Sequence, residues 1–189
     1  MTERLHTPPR KIEVPINMPL AFLAGPVQGA PDWQTPMAQR IFEARPDVAA
    51  ASPRRRSEDE ASFAPEQQVQ WEHESLLRAR RFGTVGIWWA AQDLTDSSYR
   101  QGRAYAQTTR IEEGMTFGWH EFRPGFMPII GFDPEYGANG GGSESYSRIM
   151  ANILHIPVYD SLDDFTNALI ESIPDKRHTL PYFSHRDAA

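Results

Sequence analysis

Short apolar runs and amphipathic helical stretches alternate five times along this 189-residue chain, and that alternation restricts the fold more than any other feature. Met18 to Ala24 (MPLAFLA) is apolar throughout and stops at Gly25-Pro26. A strand without polar alternation is the mark of a sheet covered on both faces, usually a parallel one. Residues 31 to 44 follow as a helix, with Trp33, Met37, Ile41 and Phe42 at helical spacing. Val48 to Ser52 is a second, short strand. Glu66 to Arg81 is a helix with Val69, His73, Leu76 and Leu77 on one stripe, and Gly83 to Trp89 (GTVGIWW) is the third strand.

The remaining segments repeat the pattern. A helix spans the region around Thr108 to Trp119, and Phe126 to Phe132 is the fourth strand. A helix from about Ser143 to Asn152 leads to the fifth strand, Ile156 to Tyr159. Ser161 to Ile173 is the last helix, with Ser161 as its N-cap and Asp164 three residues on. The expected fold is a single α/β domain over residues 18–173: a doubly wound, flavodoxin-like (Rossmann-like) three-layer sandwich on a mostly parallel five-stranded sheet. Residues 1–17 are expected as an extended N-terminal arm and residues 174–189 as a polar C-terminal tail.

Composition excludes several classes of chemistry. The chain has no cysteine, hence no thiolate metal site and no thiol nucleophile. Its net charge of −6 argues against a nucleic-acid polymer as partner. No apolar run reaches the roughly 20 residues of a membrane span, and the N-terminus lacks a signal-like stretch. The six histidines show no metal-ligand spacing. We expect a cytoplasmic protein with no membrane partner, no metal and no cofactor.

Ligands in such sheets bind beyond the carboxyl ends of the strands. Those ends hold Gly25 and Pro26, the arginines of Pro53-Arg54-Arg55-Arg56, the loop from Ala90 with Asp93 and Asp96, and the glycine-dense stretch around Asn139 to Gly142. The arginines are either a solvated loop or a phosphate contact. The glycines either cradle a phosphate or form a plain loop. Thr109-Arg110-Ile111-Glu112 also has two readings. It is either a capping box, with Glu112 satisfying a backbone N–H, or the start of a site in which Glu112 is reactive.

Four pieces in order bear on that choice: Phe22-Leu23-Ala24-Gly25-Pro26, Asp32-Trp33-Gln34, Gln70-Trp71-Glu72 and Thr109-Arg110-Ile111-Glu112-Glu113-Gly114. Together, over about residues 19–171, they resemble the nucleoside 2-deoxyribosyltransferase-like family. The resemblance implies cleavage or transfer of the N-glycosidic bond of a nucleoside or nucleotide. It makes Glu112 the catalytic nucleophile and Asp93 the carboxylate that holds or protonates the base. Gly25, Pro26, Asp32, Trp33, Glu72, Asp96 and Arg110 are the expected substrate-binding residues. A carboxylate beneath the sugar would stabilise an oxocarbenium-like transition state and form a covalent ester. A place in the first helical turn would favour its ionised form.

The chain departs from that pattern twice. Ala79-Arg80-Arg81-Phe82 carries no acid where relatives often place an Asp, and Glu113 stands where they often show an aliphatic residue. The second departure leaves the nucleophile open between Glu112 and Glu113. The resemblance also implies a homo-oligomer, with the tail around Tyr182 and Phe183 as the segment that completes a neighbour's pocket. The alternative is a nucleotide-binding or sensor module without turnover.

Overall fold

The computed structural model describes residues 4–15, 18–62, 64–95, 104–122, 125–136 and 143–175. Its elements are β1 (Leu5–His6), β2 (Leu20–Ala24), α1 (Gln34–Ala44), β3 (Ala49–Ala51), a 3-10 helix (Ser57–Ser62), α2 (Pro65–Phe82) and β4 (Gly83–Trp89). Then come α3 (Gln107–Phe122), β5 (Ile129–Phe132), α4 (Ser143–Ile153), β6 (Val158–Tyr159) and α5 (Leu162–Ser172).

The sheet is parallel throughout, in the order β1-β3-β2-β4-β5-β6. Without β1 this is the flavodoxin-like order. The expected three-layer α/β architecture holds, with six strands in place of five. The extra strand comes from the expected arm: Leu5 and His6 pair with Ala50 and Ala51 at the sheet edge. Two residues show no period of their own, so tertiary pairing alone makes this strand.

All five residues of β2 are buried and alternate between the two faces. Leu20, Phe22 and Ala24 join the core under α2, α3 and α4, with Trp71, Leu76 and Phe117. Ala21 and Leu23 join the core under α1 and α5, with Met37, Ile41, Phe165 and Leu169. A Cβ at Gly131 would stand 2.6 Å from the Trp88 ring and 2.9 Å from Phe165, so only glycine lets that helix sit so close.

Several local expectations shift. On α2, Val69 and Leu77 are exposed at 60% and 39%, and the buried face is Trp71, Ser75, Leu76 and Ala79. Trp71 takes the core because its indole N–H reaches the Arg10 carbonyl at 2.8 Å. The fourth strand starts at Ile129 rather than Phe126, after Pro128, which lacks a ladder donor. Ser161 caps α5 as expected, its Oγ accepting from the Asp164 N–H at 3.2 Å. Among the described residues, no helix is long and apolar enough to cross a membrane.

Candidate active site

The helix after β2 and the helix after β4 lie on opposite faces of the sheet, so a crevice opens between the ends of these neighbouring strands. A cavity of about 600 Å³ occupies it, within the range of small-molecule sites. Four parts of the chain build its wall. Gly25 to Gln28 follow β2, Pro53 and Arg55 follow β3, Pro65, Gln68, Val69 and Glu72 come from α2, and Gln107, Thr108, Thr109 and Glu112 come from the start of α3.

Gly25 is the hinge of this wall. Its φ of +152° disfavours an L side chain, and a Cβ there would meet the Trp88 carbonyl at 2.3 Å and the Trp33 ring at 2.6 Å. The chain therefore turns tightly over β4 and exposes backbone to the cavity.

α3 begins at Gln107, directly after Ala106 with φ 55°. Thr109 and Glu112 are thus inside the helix, and the capping-box reading falls. Thr109 is fully buried, lines the cavity, and its hydroxyl finds no hydrogen-bond partner among the described residues. Glu112 lies one turn further on at 6% exposure. Its carboxyl makes no hydrogen bond or ion pair with the described residues. Burial, and after it the charge of Glu72, pushes the Glu112 carboxyl well above the usual carboxylate range. The ionised form expected from a first-turn position is not what this environment favours, because Glu112 sits in the second turn and out of solvent.

Glu72 faces Glu112 with more help. Gln68, one turn earlier on α2, donates to its Oε1 at 2.6 Å and to the Pro53 carbonyl at 3.0 Å. Arg55 Nε donates to Gln68 Oε1 at 2.8 Å, so Arg55, Gln68 and Glu72 form a relay along the wall. Burial raises the Glu72 carboxyl, against the opposing pull of the Gln68 bond and the Arg55 charge. Two carboxyls in one cavity wall, Glu72 bonded to Gln68 and Glu112 with no partner among the described residues, have the unequal environments that an acid–base pair needs.

Of the expected site residues, Gly25, Pro26, Glu72 and Glu112 meet in the cavity wall. The others are placed elsewhere. Asp93 is exposed, and its Oδ1 accepts from the Thr95 N–H at 2.8 Å and the Thr95 hydroxyl at 2.6 Å. Asp32, just before α1, accepts from the Thr35 N–H in its first turn at 3.1 Å and pairs with Arg54 at 3.4 Å. Trp33 is 3% exposed in the core under α1. Arg110 is exposed on α3 and donates to the Tyr105 carbonyl at 3.0 Å. Asp96, the glycines from Asn139 to Gly142, and Tyr182 and Phe183 lie outside the described residues.

Arg54 also binds the Ala30 and Pro31 carbonyls, so of the three loop arginines Arg55 is the one in the cavity wall. Before β4, where the sequence lacks an acid, Arg80 lies 4.8 Å over the Trp119 ring. Sequence reasoning missed Gln68, although Gln68 and Glu72 stand at i and i+4, the spacing of neighbours on a helix face. Among the described residues, no group of three or more His, Asp or Glu side chains is arranged to hold a metal.

Glu113 has no access to this cavity. Its two oxygens accept from Trp89 Nε1 at 3.0 Å and from the Ser147 hydroxyl at 2.6 Å, on the interior side of α3. Of the two acids, Glu112 is in the cavity wall and Glu113 is not.

The chain matches no family model, and no curated protein matches it significantly.

Proposed function

We propose that this protein cleaves or transfers the N-glycosidic bond of a nucleoside or nucleotide, with Glu112 as nucleophile and Glu72 as its acid–base partner. The observation that carries the reading is a buried carboxyl, Glu112, with no hydrogen-bond or ion-pair partner among the described residues, in the wall of a cavity of about 600 Å³ that also holds Glu72. Three of the sequence pieces that carry the family resemblance converge there, from β2, α2 and α3.

Burial favours the protonated form of Glu112 more strongly than that of Glu72. Transfer of the Glu112 proton to Glu72 leaves Glu112 as a carboxylate and Glu72 as an acid. Glu112 then attacks the anomeric carbon while the departing base takes the proton from Glu72. The glycosyl ester is resolved by water or an acceptor base, which gives its proton back to the Glu72 carboxylate. Thr109 supplies a hydroxyl for the bound sugar, and Gln28 and Gln107 offer amides at the rim.

The protein is further proposed to act in the cytoplasm as a homo-oligomer. Exposed Tyr146, Ile149 and Ile153 on α4 and Phe122 on α3 support an apolar contact. A monomeric mass by light scattering would remove the oligomer. The second reading, a nucleotide-binding or sensor module without turnover, is favoured by Asp93, whose carboxylate is engaged with Thr95 away from the cavity wall.

Chromatography for free base tests the choice. Nucleosides and their 5′-monophosphates are incubated with the protein, with and without an acceptor base. Release of base supports the glycosidic reading, and dependence on acceptor separates transfer from hydrolysis. Binding without release from any substrate selects the module.

A further inference from the structure

Glu113 is a buried carboxyl that the proposed chemistry does not use. It is 6% exposed, and burial raises its carboxyl although Ser147, Trp89 and Arg110 each pull the other way. A buried acid is costlier than an aliphatic side chain of similar size, so its presence needs a reason.

Its partners suggest one. Trp89 ends β4, is 1% exposed, stacks on Phe132 at 6.1 Å and tilts against Tyr136 at 5.2 Å. Its indole N–H is therefore a fixed donor. Ser147 is buried on α4, the helix of the same layer that follows α3 in the chain. Glu113 thus ties α3 to the sheet with one oxygen and to α4 with the other. Consecutive helical residues point about 100° apart. Fixing where Glu113 points fixes where Glu112 points. Among the described residues nothing on the cavity side does so, because none of them bonds the Glu112 carboxyl there.

We propose that Glu113 is a positioning residue: through Trp89 and Ser147 it sets the rotation of α3 and so holds Glu112 in the cavity beside Glu72. The proposal rests on the reading of Glu112 as the reactive carboxyl. Its test has one readout that needs no turnover.

The test compares wild type with Glu113→Gln and Glu113→Leu. Glutamine removes the charge and can bond Trp89 and Ser147, whereas leucine keeps apolar bulk and bonds neither. The titration of Glu112 is followed by carboxyl-carbon NMR, with its signal assigned by loss in Glu112→Gln. The expected result is that leucine moves the Glu112 midpoint toward the ordinary carboxylate value and glutamine moves it much less. With substrate, leucine lowers kcat about 100-fold with little change in KM, and glutamine restores most of it.

Equal Glu112 midpoints in the two folded variants overturn the proposal, whatever happens to melting temperature. Should the leucine variant not fold, Ser147→Ala removes one bond alone. A partial move of the midpoint supports the proposal, and no move overturns it. Midpoints that differ as expected in a protein that releases no base leave the positioning role standing and remove the glycosidic reading.

Discussion

The two helical layers bury different kinds of side chain. Under α1 and α5 the sheet meets Met37, Ile41, Phe42, Phe165 and Leu169, and among the described residues those helices bury no acid. Under α2, α3 and α4 the core holds Trp71, Leu76 and Phe117, but the same helices also carry Glu112 and Glu113 buried and Glu72 largely so. Buried carboxyls weaken a fold unless they are bonded, and two of the three have found donors. Glu112 has none. Among the described residues, one layer buries no acid, while the other holds three carboxyls largely out of solvent, two of them in the cavity wall.

Three substitutions or conditions would break or sharpen that contrast. The largest effect belongs to the apolar layer. Phe165 is fully buried, 5.3 Å from the Trp88 ring. Phe165→Ala should cost about 3–5 kcal/mol in urea unfolding. The folded variant should keep wild-type turnover in the cavity, and turnover that fell with stability would merge the two layers.

Next comes the pH dependence of the other layer. The Glu112 carboxyl lies above its ordinary value of 4.5 in the fold. The folded state then binds more protons than the unfolded chain, so stability falls as pH rises from 4.5 through the raised folded value. Glu72 and Glu113 contribute with the same sign. Glu112→Gln removes one contribution, and its stability relative to wild type should grow as pH rises above 4.5 toward the raised folded value. A gap that stays constant in urea unfolding would mean that Glu112 is not held in its neutral form.

The smallest effect is expected at Thr109. Its hydroxyl has no partner among the described residues, so Thr109→Val should leave stability within about 0.5 kcal/mol of wild type. It should weaken ligand binding by about 1 kcal/mol in calorimetry. Unchanged affinity would mean that the hydroxyl does not meet the ligand.

Much of the fold could be read from the sequence because apolar runs and helical periods are local signals. β4 spans Gly83–Trp89 as expected, and Ser161 caps α5 through the bond that its spacing suggested. β1 was not legible, since Leu5 and His6 become a strand only by meeting Ala50 and Ala51. The buried face of α2 was misjudged because Val69 and Leu77 look like core by type, while Trp71 and Ala79 fill the space.

The site divides the same way. Residues at strand ends and on helix faces, namely Gly25, Pro26, Glu72 and Glu112, come together as the pattern suggested. Asp93 was assigned by the resemblance from its place in the loop after β4, and a short polar side chain in a loop is readily taken by nearby backbone, here through Thr95. The capping-box alternative turned on where α3 starts, and helix starts are poorly marked in sequence.

The central claim is that Glu112 is the reactive group of the cavity. The most direct test is a single-turnover comparison of wild type and Glu112→Gln with a substrate that the wild type cleaves, each at saturating protein, with free base followed by chromatography. The account predicts that the variant binds the substrate and releases base at least about 1000-fold more slowly. Equal release by the two proteins would contradict it and remove Glu112 from the mechanism.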